Sequence, residues 1–177
     1  MRLTIPVEDL SFVLPPKREL AQAAGRGVSN VVKRHLANRD GRGRSDGLPR
    51  TGYYGDAAGS VTTETAGDVA VISIPKEGMA LHYYGGVVYP TNGHKALAIP
   101  KTAAAAGRRP AELDPSRQKL ALVWPKGEKS GTLRDKESGE VFYLLVAKAT
   151  IPADTTVLPP ESDMEAAASA AMEAIIL

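Results

Sequence analysis

Across residues 17–38 the apolar side chains Leu20, Ala24, Val28, Val31, Val32 and Leu36 recur at three- and four-residue steps. That spacing places them on one face of a helix, and no other stretch dictates its own structure so firmly. Pro15-Pro16 lies directly ahead, where proline suits a first helical turn. Gly25 and Gly27 each cost such a helix about 1 kcal/mol relative to alanine. The helix therefore depends on what packs against it. His35 shares the stripe and is expected there as a hydrogen-bonded core histidine.

The rest of the chain is cut into short pieces. Glycine and proline make up 30 of its 177 residues, enough to turn it often and too few for a disordered chain. Two full domains would each be small for a stable core, so one domain over residues 1–177 is expected. Residues 1–14 read as an extended N-terminal arm, and residues 39–59, which lack periodicity, as a flexible loop. Alternation over 60–65, the Ala66-Gly67-Asp68 turn and the β-branched run 69–74 predict a hairpin. A short helical piece over 77–84 stops at Gly85-Gly86. Apolar residues 87–89 and 95–99 flank Asn92-Gly93, and that dipeptide between apolar runs predicts a second hairpin.

Residues 100–115 read as a loop or partly helical excursion. Two further strands, 120–124 and 141–151, are joined by a mobile connection over 126–140. Ser162-Asp163-Met164-Glu165 matches a capping box ahead of a C-terminal helix, 161–177, with the stripe Met164, Ala168, Ala171, Met172, Ile175 and Ile176. The expectation is an α+β fold. An amphipathic N-terminal helix and a C-terminal helix pack on an antiparallel sheet of about four to six strands, with long loops.

The net charge is only +2, but residues 1–50 hold ten basic against five acidic residues, residues 111–177 hold seven against eleven, and nothing basic follows Thr150. Such polarity suits nucleic acid at one end, or subunits that attract each other head to tail in a ring. The small total argues against a dedicated nucleic-acid binder. Arg42, Arg44 and Arg50 with Tyr53-Tyr54 could serve either role: arginines on phosphates with tyrosines stacked on bases, or anchors in a protein contact. The protein contact is the preferred reading.

The absence of cysteine excludes disulfides, thiol nucleophiles and thiolate metal sites. No apolar run approaches the roughly 18 residues that cross a bilayer. The opening Met1-Arg2-Leu3-Thr4-Ile5-Pro6 lacks a signal-peptide core, so a soluble cytoplasmic chain without a membrane partner is expected. His35, His82 and His94 lack metal-ligand spacing, and neither a P-loop nor a nucleophile elbow is present. Asp135 and Glu137 read as solvated charge in a lysine-rich turn. No catalytic residue, metal or cofactor is expected.

The stretch from Gly78 to Pro90, with Ala80, His82, Tyr83-Tyr84 and Gly85-Gly86, is followed by Lys95-Ala96-Leu97-Ala98-Ile99-Pro100. It resembles the virion-morphogenesis proteins of Mu-type tailed phages, known as tail-completion or head–tail joining proteins. The order of the leading helix, loop, hairpin, late strand and terminal helix resembles theirs loosely over most of the chain. The resemblance implies a non-enzymatic structural subunit that assembles with itself as a ring, possibly a hexamer, and with tail or head–neck proteins. It would be present in the host cytoplasm during assembly and then in the neck or tail of the virion. The expected assembly interface is Arg42, Arg44, Arg50, Tyr53, Tyr54, Tyr83, Tyr84 and Tyr89. His82, Gly85, Gly86, Asn92 and Gly93 are expected to shape its turns. The alternative is a nucleic-acid-binding module that uses loop 39–59.

Overall fold

The computed structural model describes residues 15–41, 48–49, 51–116 and 118–176. The arm 1–14 and Arg42, Arg44 and Arg50 lie outside the described residues. The fold is α+β, with five α-helices and eight strands in antiparallel sheets among the described residues. In chain order the elements are α1 (Lys17–Gly41), α2 (Tyr53–Ser60), β1 (Thr62–Ala66), β2 (Val69–Ser73), α3 (Met79–Tyr84), β3 (Gly86–Val88), β4 (Leu97–Pro100), α4 (Pro110–Leu113), β5 (Leu120–Val123), β6 (Ser130–Asp135), β7 (Val141–Val146), β8 (Ala149–Ile151) and α5 (Glu161–Ile176). The strands form a β1-β2 pair, a β3-β8 pair and a four-stranded sheet in the order β4-β7-β6-β5.

Helix α1 is the expected long helix, and its two glycines serve as points of close approach. A Cβ on Gly25 would lie 2.8 Å from Ala70 Cβ and 2.9 Å from Thr63 Cγ2 on the β1-β2 hairpin. On Gly27 it would meet the backbone of Ala167 and lie 2.9 Å from Ala171 Cβ on α5. The helix is thus pressed between the hairpin and an alanine-lined α5, and the lost helix propensity is offset by packing. The main hydrophobic cluster continues from this contact: Val32, Leu36, Ala57, Ala58, Val61, Met79 and Val157 are buried together, with Met164 of α5 against them. A second cluster of Ala105, Phe142 and Tyr143, flanked by Ala98, Leu113, Leu120 and Leu133, supports the four-stranded sheet.

Loop 39–59 is shorter than expected at both ends. α1 runs on to Gly41, and residues 53–60 are helical because Ala57 and Ala58 bury against the main cluster. The Asp40 carboxylate accepts a hydrogen bond from the Tyr54 N–H at 3.2 Å, filling one of the unpaired donors of α2's first turn. The connection 126–140 contains β6, whose alternation is hidden in sequence because Gly131 and Asp135 occupy two of its buried positions. Gly131 lies under Trp124, where a Cβ would come within 2.8 Å of the ring. Asp135 is not solvated charge: at 9% exposure it accepts from the Ser138 and Glu137 N–H groups and the Ser138 hydroxyl, tying the β6-β7 turn. The box at Ser162 does not cap α5. The helix begins at Glu161, and the Pro160 carbonyl accepts from the Asp163 and Met164 N–H groups.

The predicted hairpin about Asn92-Gly93 is also corrected. Both residues adopt left-handed backbone, with φ of 54° and 75°, but the strands on either side do not pair with each other. β3 pairs with β8 and β4 with β7, so the partners are two successive strands parted only by Ala147 and Lys148. Between the pairs Val88↔Ala149 and Leu97↔Val146, nine steps on one side face three on the other. The surplus is an exposed excursion over residues 89–96. The turn chemistry was read correctly and its destination was not.

The close approach at Gly27 yields a test. Gly27→Ala adds helix propensity worth about 1 kcal/mol, yet it forces a methyl against a backbone carbonyl, and overpacking typically costs about 1–3 kcal/mol. A net lowering of the urea midpoint is expected. Gly59→Ala, which meets no atom within 4 Å, should not lower it. A midpoint raised by Gly27→Ala would show that α1 and α5 are not pressed together.

Candidate functional site

The densest polar cluster among the described residues gathers four parts of the chain. Arg39 comes from the last turns of α1, Tyr53 and Tyr54 from α2, His82 from α3, and Asp154 with Thr156 from the segment between β8 and α5. The Arg39 guanidinium is ion-paired with the Asp154 carboxylate and donates to the Thr156 carbonyl at 3.1 Å and its hydroxyl at 3.0 Å. Its Cζ sits 5.0 Å from the centre of the Tyr54 ring, within cation–π range. One turn earlier, the His35 Nε2 lies 2.9 Å from the Thr156 carbonyl oxygen, so this histidine is hydrogen-bonded as expected.

His82 is held from both sides. Its ring lies 5.0 Å from Tyr53 and 5.8 Å from Tyr54, and Nδ1 is 3.4 Å from the Tyr54 hydroxyl. Its carbonyl accepts from the Asp154 N–H at 3.1 Å. Tyr53 in turn donates its hydroxyl to the Glu77 carbonyl at 2.8 Å. Burial, reinforced by the Arg39 charge, holds the His82 pKa below its ordinary 6.5 against the opposing pull of Asp154. Hydrogen bonds from Thr156, with the charge of Arg39, hold the Asp154 carboxyl below its ordinary 3.8 despite partial burial. Asp154 also starts the Thr155–Val157 turn by accepting the Thr156 N–H at 3.0 Å.

Gly85-Gly86 seats α3 against this segment. Gly85 has a φ of 72°, and a Cβ there would lie 2.6 Å from the Ala153 nitrogen. Gly86 passes so near Leu81 Cδ1 that a Cβ would fall 2.7 Å from it. Glycine is needed at Gly85 both for lack of room against the Ala153 and Ile151 backbone and for its left-handed φ, whereas at Gly86 the near atom is the movable tip of Leu81.

The five tyrosines expected in one interface therefore separate. Tyr53 and Tyr54 turn inward onto His82 and Arg39, and Tyr83 packs against the main cluster, its ring edge-on to Tyr84 at 4.8 Å. Tyr84 and Tyr89 face solvent, 76% and 60% exposed. Val87 on β3 is exposed too, two residues before Tyr89. Leu122 and Val123 on β5, at the edge of the larger sheet, and Trp124 just after it are further exposed apolar residues. Among the described residues, no three His, Asp or Glu side chains converge as a metal site.

Arg39 and Asp154 were missed in sequence, although both leave a trace. Arg39 falls one turn beyond His35 on the apolar stripe, where a cation must find a partner. Asp154 two residues ahead of Thr156 is the pattern of a carboxylate closing a turn on its own chain.

The pKa directions fix the pH response. His82 takes up a proton more readily in the unfolded chain, so its contribution is complete above 6.5 and declines as pH falls below it. Asp154 contributes above 3.8 and loses its share as pH falls through its lower folded value. Urea midpoints measured against pH should show both declines. His82→Gln should flatten the first while leaving the second, and Asp154→Asn should weaken the second. An unchanged profile in His82→Gln would refute the buried neutral imidazole. Comparisons with protein-family models, with curated proteins and with solved structures each find no match for this chain.

Proposed function

We propose that this protein is a structural subunit of a tailed-phage or prophage particle, a tail-completion or head–tail joining protein that works by assembling with copies of itself and with virion partners. The observation that carries the reading is the exposed group Tyr84, Val87 and Tyr89 beside the excursion 89–96. Large apolar side chains left in water on a firmly seated turn are characteristic of contact surfaces. Tyrosine supplies wide contact area at little cost in conformational entropy. Among the described residues the outer edge of β5 is unpaired, and with Leu122, Val123 and the adjoining Trp124 it offers a second such surface.

Charge supports the same reading. α5 begins with Glu161 and Asp163 and carries Glu165 and Glu173 on exposed positions. The basic residues Arg42, Arg44 and Arg50 belong to the opposite half of the sequence. Pairing of one copy's basic loop with the next copy's α5 gives the head-to-tail contact that a ring requires. The nucleic-acid alternative loses its stacking partners, since Tyr53 and Tyr54 are engaged with His82 and Arg39. It keeps a cationic surface in Arg26, Lys33 and Arg34, all exposed on α1.

Sedimentation of the full chain over a range of concentration and salt tests the assembly. A discrete oligomer is expected that weakens as salt rises toward about 1 M, where exposed charge pairs are screened. Tyr84→Ala combined with Tyr89→Ala should weaken it about tenfold or more, with the urea midpoint unchanged. Charge reversal of Arg42, Arg44 and Arg50 to Glu should remove the salt dependence. A chain that stays monomeric throughout and instead shifts duplex DNA at physiological salt would overturn this reading in favour of the alternative.

A further inference from the structure

An apolar groove of about 490 Å³ runs along the first half of α1, between that helix, β2 and Met172 of α5. Leu20, Ala24 and Val28 line one wall, Ala70 and Ile72 the other, and Lys17 and Asp68 supply the polar lining. Val69 and Ala70, consecutive on β2, both line it, with Asp68 just before the strand. Neighbouring side chains on a strand point to opposite faces, so the groove includes the backbone edge of β2 as well as its inward face. Among the described residues β2 pairs only with β1, which leaves that edge with hydrogen-bonding groups to offer.

We propose that this groove receives residues 1–14 of a second copy of the chain, with residues 3–7 laid as a strand along the free edge of β2. The opening sequence fits such an occupant. Leu3, Ile5 and Val7 alternate with Thr4 and Pro6, so one face of that strand is wholly apolar. An added strand would gain affinity from main-chain bonds and specificity from alternate side chains in the groove. Arg2 stands at one end of the apolar run and Glu8-Asp9 at the other. They complement Asp68 and Lys17 at the groove.

Reach decides between the chain's own groove and a neighbour's. Leu14 and Pro15 each precede a proline, a position biased toward extended backbone and against a turn. The first turn-forming residues upstream are Ser11 and Asp9. A limb that runs out to them and back spends about 17 Å outward and regains about 23 Å. It would overrun the start of α1 by only about 6 Å, whereas the groove follows the helix from Lys17 to Val28, about 16 Å at helical rise. A neighbouring copy's arm has no such limit, and exchange of identical elements is a low-cost route between copies. The inference deepens the assembly reading and rests on it.

The chain has no cysteine, so introduced thiols report without background. One full-length version carries Ile5→Cys and a size tag, and the other carries Val69→Cys at an exposed groove position. Mixed and treated with a short bismaleimide, they should give one product of summed mass. Leu3→Asp with Val7→Asp in the tagged chain should abolish it, and Ser169→Cys, exposed on α5, should give none in place of Val69→Cys. Linkage found only within a chain that carries both thiols would overturn the exchange in favour of a self-docked arm. No linkage of either kind would place the arm elsewhere and overturn it as well. Sedimentation of the same samples keeps the two readings apart. Oligomers without the mixed product refute arm exchange and leave the assembly reading standing, and the absence of both refutes both.

Discussion

The ion pair between Arg39 and Asp154 joins the two ends of the chain's architecture. Arg39 belongs to the helix that carries the main hydrophobic cluster, and Asp154 lies where the strands end and α5 begins. A partly exposed pair of this kind contributes little by Coulomb attraction alone. Its weight comes from company. The guanidinium also donates to the carbonyl and hydroxyl of Thr156 and faces the Tyr54 ring, while the Asp154 N–H bonds the His82 carbonyl. Four segments are thereby fixed at one point, and removal of the Asp154 carboxylate deprives the partly buried guanidinium of its ion-pair partner.

From that point the rest of the geometry follows. With Asp154 held, Ala153 sits so close to Gly85 that α3 must leave through a left-handed glycine. β3 then pairs with β8, next to the tie, and β7, two residues before β8 in the chain, pairs with β4. The eight residues between β3 and β4 face only two between β7 and β8 and are pushed into solvent with Tyr89 at their start. The exposed tyrosines are therefore a consequence of how tightly the neighbouring turn is seated. A surface meant to be gripped needs this kind of support, because side chains already ordered before contact lose less freedom on binding.

What could be read in the sequence was whatever shows itself over a few residues. The stripe of α1, the β1-β2 hairpin, the short α3 before its glycines and the late α5 all announce themselves through local period or turn chemistry. What could not be read was decided by distant partners. α2 has two small buried residues and is held by Asp40 from another helix. β6 buries a glycine beneath Trp124 and an aspartate within its own turn, so its pattern carries no apolar signature. Asn92-Gly93 has the turn geometry that its sequence dictates, while the pairing of its flanking strands was settled by β7 and β8. The site divided in the same way. His82 and its double glycine were legible as a pinned turn, whereas Arg39 and Asp154, 115 residues apart, became partners only through the fold.

The two glycines of α1 show why the same residue type can mean weakness locally and strength globally. Read alone, they loosen a helix; in place, they let α5 on one side and the hairpin on the other approach the helix backbone. The groove lies beside that contact and follows the helix from Lys17 to Val28, with Gly25 itself in its lining next to Leu20, Ala24 and Met172. Close packing at Gly25 and Gly27 and the open space beside them are two parts of one arrangement. α5 and the hairpin each meet the helix at a small residue, and the interval left between them is the groove, whose Lys17 end lies beside the point where residues 1–14 join the helix.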